Sequence, residues 1–210
     1  MPNLERARAL LQEERFQAAY DLLAGDPSVK QFPDAARLLG LTCVRMKQHA
    51  EAAKYYELVC AQSRDSEDWF NLAMARLQGG DPVHGIVALE EAKKRFTKGK
   101  QKMTVPMMLF YFVGGLLDLS MWDAAKRYLQ ELADTYAGLG KTSDTFLYAN
   151  DVPYFSWFLN AVVTAYRGSN SQKAGVDWLT ALLPRVDPEG QTKIKNAIRL
   201  LSEAKPTGRR

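Results

Sequence analysis

Cysteine and histidine are scarce in this 210-residue chain, with two of each. Cys43 and Cys60 both fall within helical patterns, which suits buried reduced thiols and excludes a fold built on disulfides. His49 and His84 have no second His, Cys or carboxylate at metal-ligand spacing, so neither a metal nor any other cofactor is expected. Long apolar runs are missing too. The stretch from Met103 to Leu117 is interrupted by Thr104, Pro106 and the pair Gly114 and Gly115, too short and too broken to span a bilayer. The opening residues MPNLERARALLQEERF carry charge within their first turns and lack an apolar core followed by small residues. No secretory signal is expected, and a cytoplasmic location is.

A protein-wide excess of one charge is also absent. The formal net charge is +4, but the run KKRFTKGKQK at 93–102 holds six basic side chains and no acidic one, and without it the chain would stand at −2. The basic character is local, helped by the GRR tail, and does not describe a field that would coat nucleic acid. What remains is an ordinary folded composition, 47% hydrophobic and 25% charged. At this length a chain buries a sizeable core, as one domain or one short solenoid.

The chain repeats itself. LLGLTCVRMKQHAEAAKYYELVCAQ aligns with NLAMARLQGGDPVHGIVALEEAKKR at a shift of 33 residues, which places Leu39 on Leu72, Gly40 on Ala73, Ala52 on Gly85 and Tyr56 on Leu89. The same shift carries Ala19 onto Ala52. Small residues recur where two helices cross closely and a longer side chain has no room. Turn chemistry agrees, since GGDP at 79–82 closes one helix with glycine and opens the next with an Asp cap and a proline in the first turn. DP at 187–188 and NDVP at 150–153 read as similar helix starts.

These units resemble tetratricopeptide repeats, helix-turn-helix motifs of about 34 residues with a Trp, a Leu-Gly pair and then Ala and aromatic positions. Residues 33–65 carry the pattern as Leu39, Gly40, Ala52 and Tyr56; residues 66–98 carry it as Trp69, Leu72, Ala73, Gly85, Leu89 and Ala92. Weaker copies place Ala125 and Leu129, then Ala174 and Trp178, in the Ala52 and Tyr56 roles. The longer spacings locate insertions across Lys98 to Val105 and across Gly138 to Asn150.

The resemblance implies an all-α fold of about eleven helices, antiparallel pairs stacked as a right-handed superhelix within one domain over 1–204. The units run 1–32, 33–65, 66–98, 106–138 and 151–186. A capping helix follows over 188–204, with Ile194, Ala197, Ile198 and Leu201 on one face. Residues 205–210 read as a flexible tail.

No enzyme is expected. GLGKTS at 138–143 lacks the full spacing of a phosphate loop and follows a helix instead of a strand, so it reads as a flexible connection. Glu13 with Glu14, and Glu90 with Glu91, are neighbours along a helix and point apart, as on a solvated face. The resemblance instead implies a scaffold that binds a peptide or helix of a partner protein along the first helix of each pair. Those positions are Arg37, Leu41, Val44 and Arg45, then Phe70, Asn71, Met74 and Leu77, then Met107, Phe110, Tyr111 and Gly114.

The expected binding residues are Arg37, Leu41, Phe70, Asn71, Met74, Met107, Phe110 and Tyr111, with Arg37 and Asn71 orienting the partner. This is a Met- and aromatic-rich face suited to an apolar segment. A carboxylate clamp of the family's charged variant does not fit, because of its positions only Asn71 is retained. The aromatic stretch TFLYANDVPYFSWF at 145–158 is expected to tuck Phe146 and Tyr148 back onto the fold.

Two readings of other classes compete. In one, Lys93, Lys94, Arg95, Lys98, Lys100 and Lys102 hold an acidic partner surface or RNA by charge. Against it, the first three suit the C-terminal end of a helix, and only Phe96 is at hand to stack on a base. In the other, the apolar face is buried in a homodimer. An acidic protein ranks before nucleic acid, and membrane insertion is excluded.

Overall fold

A computed structural model of the chain describes residues 2–97 and 102–203. The described residues are all helical, with no strand. Six helices precede Lys102: α1 (Pro2–Gln12), α2 (Phe16–Ala24), α3 (Pro33–Arg45), α4 (His49–Cys60), α5 (Ser66–Gln78) and α6 (Pro82–Arg95). Six follow it: α7 (Val105–Asp118), α8 (Trp122–Leu139), α9 (Asp144–Ala149), α10 (Phe155–Gly168), α11 (Gln172–Leu182) and α12 (Pro188–Glu203). No helix among the described residues is long and apolar enough to cross a membrane. The stretch expected as one domain divides into two compact units, the first ending at Lys102 and the second starting at Met103.

One turn recurs six times. Glu14, Lys47, Gly80, Ser120, Asp151 and Asn170 each have positive φ, between 51° and 88°. The next residue in each case donates its N–H to the carbonyl five residues back, as in Gln48 to Cys43 at 2.8 Å, Asp81 to Arg76 at 2.9 Å and Ser171 to Tyr166 at 2.9 Å. This is the left-handed helix ending that satisfies orphan carbonyls and reverses the chain into the next helix. In every turn but the one at Asp151, a small, buried residue stands four residues after the closing amide: Ala19, Ala52, Gly85, Ala125 and Gly175. Each is the fourth residue of its helix. A Cβ on Gly85 would lie 3.1 Å from the Ala73 carbonyl oxygen and 3.2 Å from the Leu77 nitrogen, so the partner helix's backbone sets the limit. The fourth copy expected at Ala174 is corrected by one residue: Ala174 is exposed, and Gly175 takes the crossing position under the Tyr166 ring.

Within the first unit each helix packs on the next in sequence. Its N-terminal core is aliphatic and alanine-rich, built on Ala7, Leu23, Ala35, Leu38, Leu39 and Val59. Asp65 and Asp81 cap α5 and α6 by accepting N–H bonds from Glu67 and His84, each worth about 1 kcal/mol to its helix. Burial pushes the Cys43 thiol up to about 11 and the Cys60 thiol up to about 12, as expected of inert thiols.

The second unit is built on rings. Tyr136 is fully buried with its centroid 4.9 Å from those of both Phe155 and Phe158. Its hydroxyl donates to the Pro153 carbonyl at 2.6 Å, and burial raises its pKa above the ordinary phenol value. Helix α12 packs on α10 and α11 with Ile194, Ala197 and Leu201 buried.

The insertion expected across Gly138 to Asn150 is mostly helical, because α8 continues to Leu139 and α9 begins at Asp144. The stretch GKTS at 140–143 between them is tied down. The Thr142 backbone N–H and hydroxyl both donate to the Asp187 carboxylate, at 3.1 and 2.5 Å, and Gly190 N–H donates to it at 2.9 Å. Burial pushes the Asp187 carboxyl up, but these bonds outweigh it and leave the pKa below the usual value.

Candidate interaction site

The expected binding residues divide between the two units and meet different fates. In α3, Leu41 and Arg45 are exposed and Val44 is half-buried, opposite a buried face of Leu38, Leu39, Thr42 and Cys43. Arg37 is not an available anchor. Its Nε and Nη2 donate to the two carboxylate oxygens of Asp68, both at 2.7 Å, and Nη1 donates to Asp34 at 2.6 Å. These hydrogen bonds raise its pKa above the ordinary arginine value. Asp68 is 4% exposed and also accepts from Ser63 at 2.5 Å, so the group reads as a structural ion pair.

Phe70 and Leu77 are corrected from groove to core, at 5% and 0% exposed. Helix α5 packs against both α4 and α6, which requires an apolar face wide enough to take Phe70, Ala73 and Leu77 together. Asn71 is exposed and Met74 is half-buried.

The basic run is partly spent. Lys93 pairs with Glu90 at 3.1 Å and Lys94 with Glu91 at 2.7 Å. Arg95 bonds Glu91 and lies 4.3 Å from the Trp69 ring centroid. Lys102 is exposed, and its backbone N–H donates to Glu67 at 2.6 Å. Lys98 and Lys100 lie outside the described residues.

In the second unit, Met107, Phe110 and Tyr111 of α7 come together with residues that spacing alone did not connect to them. They line one side of a groove of about 700 Å³ whose other lining comes from the end of α9, the α9–α10 connection and α10: Tyr148, Asp151, Val152, Pro153, Tyr154 and Trp157. Phe110 packs on Trp157 with centroids 4.3 Å apart and on Tyr111 at 4.8 Å, edge to face. Tyr111, Tyr148 and Tyr154 are 46%, 75% and 47% exposed.

The rim is rigid. The Thr104 hydroxyl donates to the Asp151 carbonyl at 2.5 Å, and its N–H donates to the Asp151 carboxylate at 3.2 Å. Tyr136 holds Pro153 from beneath, as described above. The expectation that residues 146 and 148 tuck back is half corrected. Leu147 is fully buried, and Phe146 is half-buried under the Lys141 ammonium, 5.3 Å from its centroid. The next residue of α9, Tyr148, is turned to solvent. The signal in the sequence was the aromatic density of 146–158; which rings faced out depended on α9.

The geometry thus defines an all-helical protein with six copies of one left-handed turn and an aromatic groove in its second unit. No family model matches the chain, and no curated protein matches it. A solved structure described as "a putative protein binding protein from Bacteroides ovatus" is similar over 96% of this chain and 97% of that one, at 12% identity and a TM-score of 0.39. A likeness at that level fixes neither family nor function.

Proposed function

We propose that the chain is a non-enzymatic interaction module of the tetratricopeptide type, and that it binds a short segment of a partner protein in the aromatic groove of its second unit. The observation that supports this most is the exposure of three tyrosine rings around a rigid groove that Phe110 and Trp157 back. Exposed, contiguous aromatic surface is costly in water and is typical of recognition sites, where rings bring large contact area at little entropy cost. The groove keeps the expected Met107, Phe110 and Tyr111 and replaces Phe70 and Arg37 with Tyr148, Tyr154 and Trp157.

Two features support a reading without catalysis. The Thr142 hydroxyl and backbone amide, which a phosphate loop would aim at a ligand, are occupied by Asp187. The paired carboxylates Glu90 and Glu91 are engaged by Lys93, Lys94 and Arg95. The same engagement weakens the reading of residues 93–102 as an electrostatic site.

Selection of short random peptides displayed on phage against the full chain tests the groove. Recovered peptides are expected to bind a Tyr148→Ala, Trp157→Ala variant at least about tenfold more weakly, since truncating a central aromatic contact typically costs more than 1 kcal/mol. Equal binding by a variant with unchanged helical circular dichroism overturns the proposal.

A further inference from the structure

We infer that the segment taken by this groove carries an arginine, whose guanidinium lies against the tyrosine rings and pairs with the Asp151 carboxylate. The inference rests on the groove being a recognition site and adds the charge of what enters it.

Charge complementarity carries the step. The groove's lining has several aromatic faces, Asp151 as its one carboxylate, and no Lys or Arg. The face of an aromatic ring is electronegative and draws a cation, more strongly where water is partly excluded. Elsewhere the chain supplies such cations itself. Lys126 lies 4.9 Å from the Tyr166 centroid, Lys141 lies 5.3 Å from that of Phe146, and Arg95 lies 4.3 Å from that of Trp69. Arg95 shows the complete arrangement in the first unit, a guanidinium on a ring with the Glu91 carboxylate at its N–H groups. The groove has the rings and the carboxylate. Among the described residues no cation lies over Tyr111, Tyr148, Tyr154 or Trp157.

Asp151 is exposed on the rim. Its left-handed backbone, φ 51°, is the same helix ending as in the other turns, closing α9 with the Val152 N–H on the Leu147 carbonyl at 3.0 Å, and the two bonds from Thr104 hold it there. One carboxylate oxygen accepts the Thr104 N–H; the other accepts no bond among the described residues. Arginine suits this better than lysine, because a planar fork stacks on a ring while its N–H groups reach a carboxylate, and because it is more weakly hydrated.

The peptides selected on the full chain also decide this point. They are expected to share an arginine whose replacement by citrulline, neutral and nearly isosteric, weakens binding about tenfold. Asp151→Asn, which removes the charge and tolerates the left-handed backbone, is expected to weaken the arginine peptide by the same factor and the citrulline peptide hardly at all. Peptides that lack a cation yet depend on Tyr148 and Trp157 overturn the inference and leave the groove standing, as does full affinity in Asp151→Asn. Peptides indifferent to Tyr148 and Trp157 overturn the groove reading itself.

Discussion

The two units use the same turn and fill the space behind it differently. In the first, the largest fully buried side chains are leucines such as Leu23, Leu39, Leu77 and Leu89; in the second they are Tyr128, Tyr136, Phe112, Phe155 and Phe158. The turns of the first unit recur at 33 residues, whereas Gly80 to Ser120 is 40, and Ser120 to Asn170 is 50 with the turn at Asp151 between them. The close crossings of the first unit are filled mostly by leucine and alanine, with Tyr56 and Phe70 as its buried rings. Lengthening α8 to 18 residues and adding α9 opens volume that rings fill. Surplus rings of the same region form the groove. A departure from the repeat therefore marks the candidate binding site better than the repeat does.

This contrast predicts where each unit is weakest. The largest effect is expected at Tyr136→Ala, which empties the three-ring cluster and strands the Pro153 carbonyl. It should lower unfolding free energy by roughly 4 kcal/mol in urea titration. Tyr136→Phe keeps the ring and should lose only about 1 kcal/mol. Near-equal losses for the two would show that the hydroxyl, not the ring packing, holds this core.

In the first unit the sensitive point is polar. Arg37→Ala leaves the Asp68 carboxylate with Ser63 as its remaining side-chain partner, and breaking a buried pair costs roughly 3–5 kcal/mol. Because Arg37 is itself 38% exposed, solvent screening reduces the expected loss to about 2 kcal/mol. An unchanged urea midpoint would mean that water replaces the guanidinium.

The smallest test compares two glycines. A Cβ on Gly40 would come within 2.9 Å of the buried Tyr56 ring, whereas nothing lies within 4 Å of one on Gly114. Gly40→Ala is expected to destabilise by about 1 kcal/mol, and Gly114→Ala to stabilise by about 0.5–1 kcal/mol through helix propensity. Thermal unfolding of both variants checks the signs, and the same sign for both would break the contrast in packing tightness.

Local signals carried most of the architecture. Asp81 and Pro82 marked the start of α6, and the recurrence of Ala19, Ala52, Gly85 and Ala125 marked the helix crossings. Only one of the six left-handed turn residues is glycine; Glu14, Lys47, Ser120, Asp151 and Asn170 occupy the same conformation. Residue type gave no hint of Glu14, Lys47 and Ser120, because the hydrogen bonds closing each turn offset the modest strain. The groove was half legible. Met107, Phe110 and Tyr111 follow from the family resemblance, which implies that the first helix of a pair faces a partner. Asp151, Tyr154 and Trp157 join them only through contacts distant in sequence, such as Thr104 with Asp151.

By itself, then, the sequence determined the helices, their period and the small residues at which they cross, since each depends on neighbours within a turn or two. Tertiary structure alone decided which apolar residues became core and which became surface. Phe70 is buried because α5 packs against a helix on each of two sides, and Arg37 is occupied because Asp68 lies beneath it. Tyr148 stays exposed because Leu147, one residue earlier on α9, takes the inward position, and successive positions on a helix face different ways.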